Sequence, residues 1–287
     1  MKTSTKTFGS SSRESHDSSV YYARKMSKQK TLAVTAVKRS ECRNRIINKS
    51  SERMKELPSN SVALMVTSPP YNCGKDYDDN LTLPEYLRLL KRVLKETYRV
   101  LEPGGRACVN LANMGRKPYI PLASYVNKMM SEIGFLMRGE IIWQKAAGAS
   151  GSCAWGSFNS ASNPTLRDLH EYILVFSKGD FRRAYKGKST ISTEAFMRDT
   201  LSIWNMRPES ASKIGHPAPF PVELPFRLID LYTYEGDLVL DPFMGSGTTC
   251  VAAKMLHRDY IGYDTKRRYC DIARNRLSSL AYSAATE

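Results

Sequence analysis

Short apolar runs alternate with segments of helical periodicity along most of this chain. Arg45-Ile46-Ile47-Asn48 reads as a short strand and Ser51 to Leu57 as a helical stretch. Ser61-Val62-Ala63-Leu64-Met65-Val66 then reads as a buried strand. Thr82-Leu83-Pro84-Glu85 has capping-box spacing with a proline in the first turn, so it opens a helix. Apolar residues at 86, 90, 93, 94, 97 and 101 give that helix one buried face. Pro103-Gly104-Gly105 should stop it, and Ala107 to Leu111 is the next strand. A helix over 121–133 ending at Gly134 and a strand over 137–143 follow.

Glu171 to Phe176, Asp237 to Asp241 and Tyr260 to Tyr263 read as further strands. Helices are expected over 248–257 and from Lys266. This alternation predicts an α/β fold with a mostly parallel sheet and right-handed crossovers. Two stretches break the pattern: a Gly/Ala/Ser-rich loop between Gln144 and Asn163, and a mixed-charge segment over 179–215, read as a small inserted module. The division is therefore 1–43 as a basic N-terminal arm, partly disordered, 44–178 and 216–287 as two halves of one core, and 179–215 as the insertion.

Composition adds a partner. The 287 residues carry a net charge of +15, which suits a polyanion such as nucleic acid. Twelve Lys/Arg against three Asp/Glu fall in the first fifty residues. Six scattered cysteines form no zinc spacing, so no metal is expected, and they suit a reducing cytoplasm. No run approaches a membrane span.

Two stretches carry the candidate chemistry. Thr67-Ser68-Pro69-Pro70-Tyr71 ends a buried strand in a stiff turn, because consecutive prolines cannot continue a ladder. It holds a hydroxyl, a carbonyl and an aromatic ring on the strand's C-terminal edge, where α/β sheets bind ligands. Asp241-Pro242-Phe243-Met244-Gly245-Ser246-Gly247-Thr248 is a strand, a glycine turn and a helix start, a geometry that binds nucleotide-type cofactors. It lacks the spacing and lysine of a Walker loop and the third glycine of the dinucleotide fingerprint. Asp264, nineteen residues after Gly245, is placed to accept from two ribose hydroxyls.

Together these two stretches resemble the signature motifs of amino-group DNA methyltransferases, in the order of the permuted β class. His216-Pro217-Ala218-Pro219-Phe220-Pro221 resembles that class's third cofactor-site motif, and His170 to Phe176 and Ile142-Trp143 match its core strands. The resemblance spans residues 44 to 280. It implies a Rossmann-like S-adenosyl-L-methionine-dependent core, circularly permuted, with 179–215 as target-recognition region. It implies catalytic roles for Ser68, Pro69, Pro70 and Tyr71, and cofactor contacts from Asp241, Phe243, Gly245, Ser246, Gly247, Thr248, Asp264, His216 and Pro217. Asn48 stands where many relatives have an acidic residue, on the adenine-ring side of that site.

Ser-Pro-Pro-Tyr resembles the cytosine-N4 subgroup. The implied partner is double-stranded DNA, with a homodimer and a cognate restriction endonuclease, a genetic rather than a physical partner, as further expectations. Two alternatives stay open: adenine-N6 methylation on the same fold, and a non-catalytic DNA-binding protein that retains the cofactor pocket. Base readout is expected from 179–215, with Arg198 and Arg207, and phosphate contact from Arg182, Arg183, Lys186 and Lys188.

Overall fold

The computed structural model describes residues 36–71, 81–115, 118–145, 155–209 and 220–283. The first 35 residues of the basic arm, Cys73, residues 146–154 of the Gly/Ala/Ser-rich loop, and His216 with Pro217 lie outside the described residues.

Eight strands make one sheet among the described residues: β1 (Arg45–Asn48), β2 (Val62–Thr67), β3 (Leu101–Leu111), β4 (Phe135–Gln144), β5 (His170–Lys178), β6 (Ile203–Asn205), β7 (Leu238–Asp241) and β8 (Asp259–Asp264). Their spatial order is β1-β8-β7-β2-β3-β5-β4-β6. Only β5 runs against its neighbours β3 and β4; every other pair is parallel. The expected mostly parallel α/β sheet is therefore present. Its topology has one consequence for the site. The C-terminal ends of β1, β8, β7, β2, β3 and β4, and the N-terminal end of β5, all meet at one edge.

Strand β2 is buried along its whole length, and its alternation feeds two cores. Met65 packs with Leu90 and Leu94 of α1 (Leu83–Val100) and Val126 and Met130 of α2 (Leu122–Ile133). Leu64 and Val66 pack instead with Leu224 and Leu228 of α4 (Glu223–Tyr232) and Ala252 of α5 (Thr248–Met255). Helices thus cover both faces. A third cluster joins α5 to α6 (Arg267–Ser283) through Val251, Cys270 and Ala273.

The predicted helix starts and stops hold where their chemistry is local. The Thr82–Glu85 capping box forms, and Gly134 closes α2 at φ 110°. Three expectations are corrected. Residues 51–57 form turns rather than a helix. The Pro103-Gly104-Gly105 run does not end α1; the helix stops at Val100 and β3 begins at once at Leu101, running through that run as an irregular strand. Its pairing slips between Val62–Leu101 and Leu64–Arg106, and Gly104 at φ 76° gives the carbonyl of Arg182 room that a Cβ would fill. Finally, part of the 179–215 segment belongs to the sheet. After the short helix α3 (Thr193–Asp199), β6 pairs with β4 and buries Trp204.

Candidate active site

The shared C-terminal edge encloses a cavity of about 400 Å³. Ser68, Pro69, Pro70 and Tyr71 line one wall, directly beyond β2. Phe243, Gly245 and Asp264 line another, beyond β7 and β8. The two sequence motifs, some 170 residues apart, meet because β2 and β7 are hydrogen-bonded neighbours. Phe220, from the Pro-rich motif that contains His216 and Pro217, also lines the cavity.

The remaining motif residues stand behind this wall and hold it. Asp241 is buried and accepts from the hydroxyls of Thr67 and Thr249, each at 2.7 Å, and from the amide of Phe243 at 3.1 Å. Burial pushes its carboxyl up to about 6, against the pull of these three donors. Ser246 and Thr248 are buried under Arg276, which donates to the Ser246 carbonyl at 2.8 Å and to the Thr248 hydroxyl at 3.0 Å. Gly247 adopts φ 78°, and a Cβ there would lie 2.6 Å from that of Ala273. The two glycines therefore differ: Gly245 clears the cavity wall, whereas Gly247 lets α6 pack against α5. Asn48 donates to the backbone carbonyls of Asp264 and Thr265, both at 3.0 Å, and so fastens the end of β8.

Asp264 accepts from the amide of Gly245 at 3.0 Å and from that of Lys266 at 2.7 Å. Burial raises its carboxyl above the ordinary aspartate range, partly offset by these two amides. Each oxygen keeps a lone pair for a second donor, which matches the vicinal hydroxyls of a ribose. A bare glycine backbone, the Phe243 ring and this carboxylate around one cavity fit an adenosyl group.

The Ser68–Tyr71 wall contains groups that periodicity did not single out. The Tyr71 hydroxyl donates to Glu171 at 3.1 Å and lies 3.3 Å from the Ser68 hydroxyl. Asn110 donates to the same Glu171 oxygen at 2.6 Å, and Lys145 pairs with the other one. Glu171, Asn110 and Lys145 all line the cavity. Glu171 is 6% exposed although it is the second residue of a largely apolar strand; a carboxylate in that position was the signal available in the sequence. Trp143 is 2% exposed and donates to the Met206 carbonyl at 2.9 Å, so it is a core residue with one face on the cavity.

Arg183 departs from its expected phosphate role. It is buried between Glu102 and Asp237, with hydrogen bonds of 2.5 and 2.9 Å to Asp237. Lys188 pairs with Glu235 and Arg198 with Asp199, and both side chains remain exposed.

Residues 62–275 match the DNA methylase family model. The chain belongs to this family. Among curated relatives it is 32% identical to the type II methyltransferase M.HpaI of Haemophilus parainfluenzae, over 82% of this chain and 74% of that one. It is 31% identical to the type II methyltransferase M.MjaI of Methanocaldococcus jannaschii, over 82% and 91%. Among solved structures, TTHA0409 of Thermus thermophilus, complexed with S-adenosyl-L-methionine, superposes with a TM-score of 0.67 at 29% identity, covering 82% of this chain and 93% of that one. The cytosine-N4-specific PvuII methyltransferase shares the fold, with a TM-score of 0.64 at 23% identity over 80% and 85%. The cofactor of this DNA methylase is S-adenosyl-L-methionine. Among the described residues, no group of side chains could hold a metal ion, and no helix is long and apolar enough to cross a membrane.

Proposed function

We propose that this DNA methylase transfers a methyl group to N4 of cytosine in duplex DNA, acting on a base turned out of the helix. The observation that carries this reading is Ser68 at the head of the Pro-Pro-Tyr turn, its hydroxyl tied to Tyr71 on the wall of the cavity that Asp264 and Gly245 close. An exocyclic amine is a poor nucleophile because its lone pair is delocalised into the ring. Hydrogen bonds from its two N–H groups to the Ser68 hydroxyl and the Pro69 carbonyl hold it closer to tetrahedral and free that pair. The bound cofactor supplies an electrophilic methyl group, and the contribution of the wall is largely positioning. No covalent intermediate with the chain is required.

A base in a stacked duplex cannot reach such a recess, so the target must leave the helix, with the Tyr71 ring against its face. Stacking of that kind contributes roughly 1–3 kcal/mol. The +15 charge suits the phosphate backbone. Target recognition is assigned to the 179–215 segment, with exposed Arg198 at bases and exposed Lys188 rather than Arg183 at phosphates. The type II relatives suggest a role beside a cognate restriction endonuclease.

The test is mass spectrometry of nucleosides from unmodified DNA incubated with the protein and S-adenosyl-L-methionine. N4-methylcytosine is the expected product. N6-methyladenine would keep the amine chemistry and overturn the choice of base. An unmethylated outcome across DNA of varied sequence would favour a binding protein that retains the pocket.

A further inference from the structure

The hydroxyl of Ser68 can act as donor or acceptor, and the amine chemistry proposed above requires it to accept. We propose that Glu171 fixes this polarity and is the end of a proton relay running from Ser68 through Tyr71; the inference rests on the methyl-transfer reading of the same cavity.

The argument is one of hydrogen-bond direction. Glu171 takes three donors: the Tyr71 hydroxyl at 3.1 Å, the Asn110 amide at 2.6 Å and the Lys145 ammonium. A carboxylate held this way offers only lone pairs. The single phenolic hydrogen of Tyr71 must therefore point at Glu171. The Tyr71 oxygen then meets Ser68, 3.3 Å away, as an acceptor, and Ser68 must donate to it. With its hydrogen committed, the Ser68 oxygen presents only lone pairs to the remaining neighbour, the amine in the cavity. Burial and the Glu171 charge push the Tyr71 phenol well above its ordinary value, so its hydrogen stays in place at neutral pH.

The same chain disposes of the proton that the reaction releases. The amine nitrogen gains a methyl group as the sulfonium carbon–sulfur bond breaks, and is left cationic with one hydrogen too many. That proton passes to the Ser68 oxygen, the Ser68 proton to Tyr71, and the Tyr71 proton to Glu171. Charge balances: the sulfonium positive charge is lost, and one proton now neutralises the Glu171 carboxylate until solvent removes it. Glu171 touches neither base nor cofactor in this scheme, so it is a positioning residue and terminal acceptor.

The experiment measures label from S-adenosyl-L-methionine incorporated into unmodified DNA of mixed sequence, for the wild type, Glu171→Gln, Tyr71→Phe and the double variant. Cofactor affinity is measured on each by calorimetry. Each single change should lower kcat about 100-fold, with cofactor affinity held within about twofold. The double variant should lose no more than either single, because all three interrupt one chain. Losses that multiply to about 10,000-fold in the double would assign independent roles and overturn the relay. So would a Glu171→Gln variant of near wild-type rate, or one that no longer binds cofactor, which would make the carboxylate a structural brace. A wild type that labels no DNA would overturn the underlying methyl-transfer reading, whereas an active wild type with an active Glu171→Gln overturns the relay alone.

Discussion

Thr67 and Asp241 share a buried hydrogen bond of 2.7 Å across the seam between β2 and β7. Thr67 is the last residue of the strand that ends in the Pro-Pro turn, and Asp241 the last of the strand that ends in the glycine turn. A second bond of 2.7 Å ties Asp241 to Thr249 in α5. One carboxylate therefore sets the spacing between the Ser68–Tyr71 wall and the glycine-turn wall of the cavity.

The burial of Asp241 makes stability depend on pH. Its folded-state carboxyl titrates near 6, above the ordinary 3.8, so the folded chain binds the proton more tightly than the unfolded one. The contribution is fully present below about pH 4 and is lost as pH rises through about 6. Its size is on the order of 3 kcal/mol. Asp241→Asn cannot titrate. Denaturant unfolding of both proteins from pH 4 to pH 7 should give a wild-type-minus-variant difference that declines across this window. A flat difference would return Asp241 to ordinary titration.

Ser68→Ala and Asp264→Ala should leave opposite signatures. Ser68→Ala removes the hydroxyl proposed to accept from the amine, and turnover should fall by about two orders of magnitude with cofactor affinity kept. Asp264→Ala removes the carboxylate proposed to accept from ribose and frees the Gly245 amide, which it holds at 3.0 Å. Hydrogen bonds to charged groups are worth about 1.5–3 kcal/mol, so the cofactor dissociation constant should rise about 10- to 100-fold. Calorimetry and a rate measured at saturating cofactor separate the two effects. Equal affinities for wild type and Asp264→Ala would remove Asp264 from the site.

Elements were legible in the sequence where the determining residues are neighbours. The Thr82–Glu85 box, the Gly134 cap and the double proline after Thr67 act over a few residues, and each delimits its element as read. The start of β3 was not, because Pro103-Gly104-Gly105 reads as a break, whereas pairing with β2 and the close approach of Arg182 at Gly104 keep it in the sheet. Helix α4 is not among the elements expected from the sequence; its Pro225 falls in the first turn, where the missing N–H costs nothing. The cavity shows the same divide. Ser68, Tyr71 and Gly245 sit in contiguous motifs, and Asp264 lies at a readable spacing from the glycine turn. Glu171 and Lys145 reach the same wall only because β5 runs antiparallel to β3 and β4. That direction is not written in any local pattern.

Arg183→Met should destabilise the chain strongly. Arg183 bridges Glu102 and Asp237, and all three side chains are less than a tenth exposed. Burial holds the Glu102 carboxyl above its ordinary range even with the guanidinium beside it. Removing one partner of such a cluster leaves buried charge without compensation, at a cost of about 3–5 kcal/mol. Adding Glu102→Gln to Arg183→Met should recover part of the loss, because one of the two stranded carboxylates is then neutral. Denaturant unfolding of the three proteins measures this. A loss below about 1 kcal/mol for Arg183→Met would mean that the cluster behaves as a surface pair.

Gly247→Ala should weaken the fold through two separable terms. The residue sits at φ 78°, where a side chain costs about 1–2 kcal/mol. The new methyl would also lie 2.6 Å from the Ala273 Cβ, forcing α6 away from the glycine turn, an overpacking cost of about 1–3 kcal/mol. Ala273→Gly relieves the second term and leaves the first. The double variant should therefore fall between Gly247→Ala and the wild type in thermal unfolding, after allowance for the glycine that Ala273→Gly places inside a helix, itself worth about 1 kcal/mol. Cofactor affinity should follow the same order, since Arg276 on α6 carries the Ser246 carbonyl and the Thr248 hydroxyl. If Ala273→Gly restored nothing, the contact between the two helices would not be what requires glycine at 247, and backbone conformation alone would account for it.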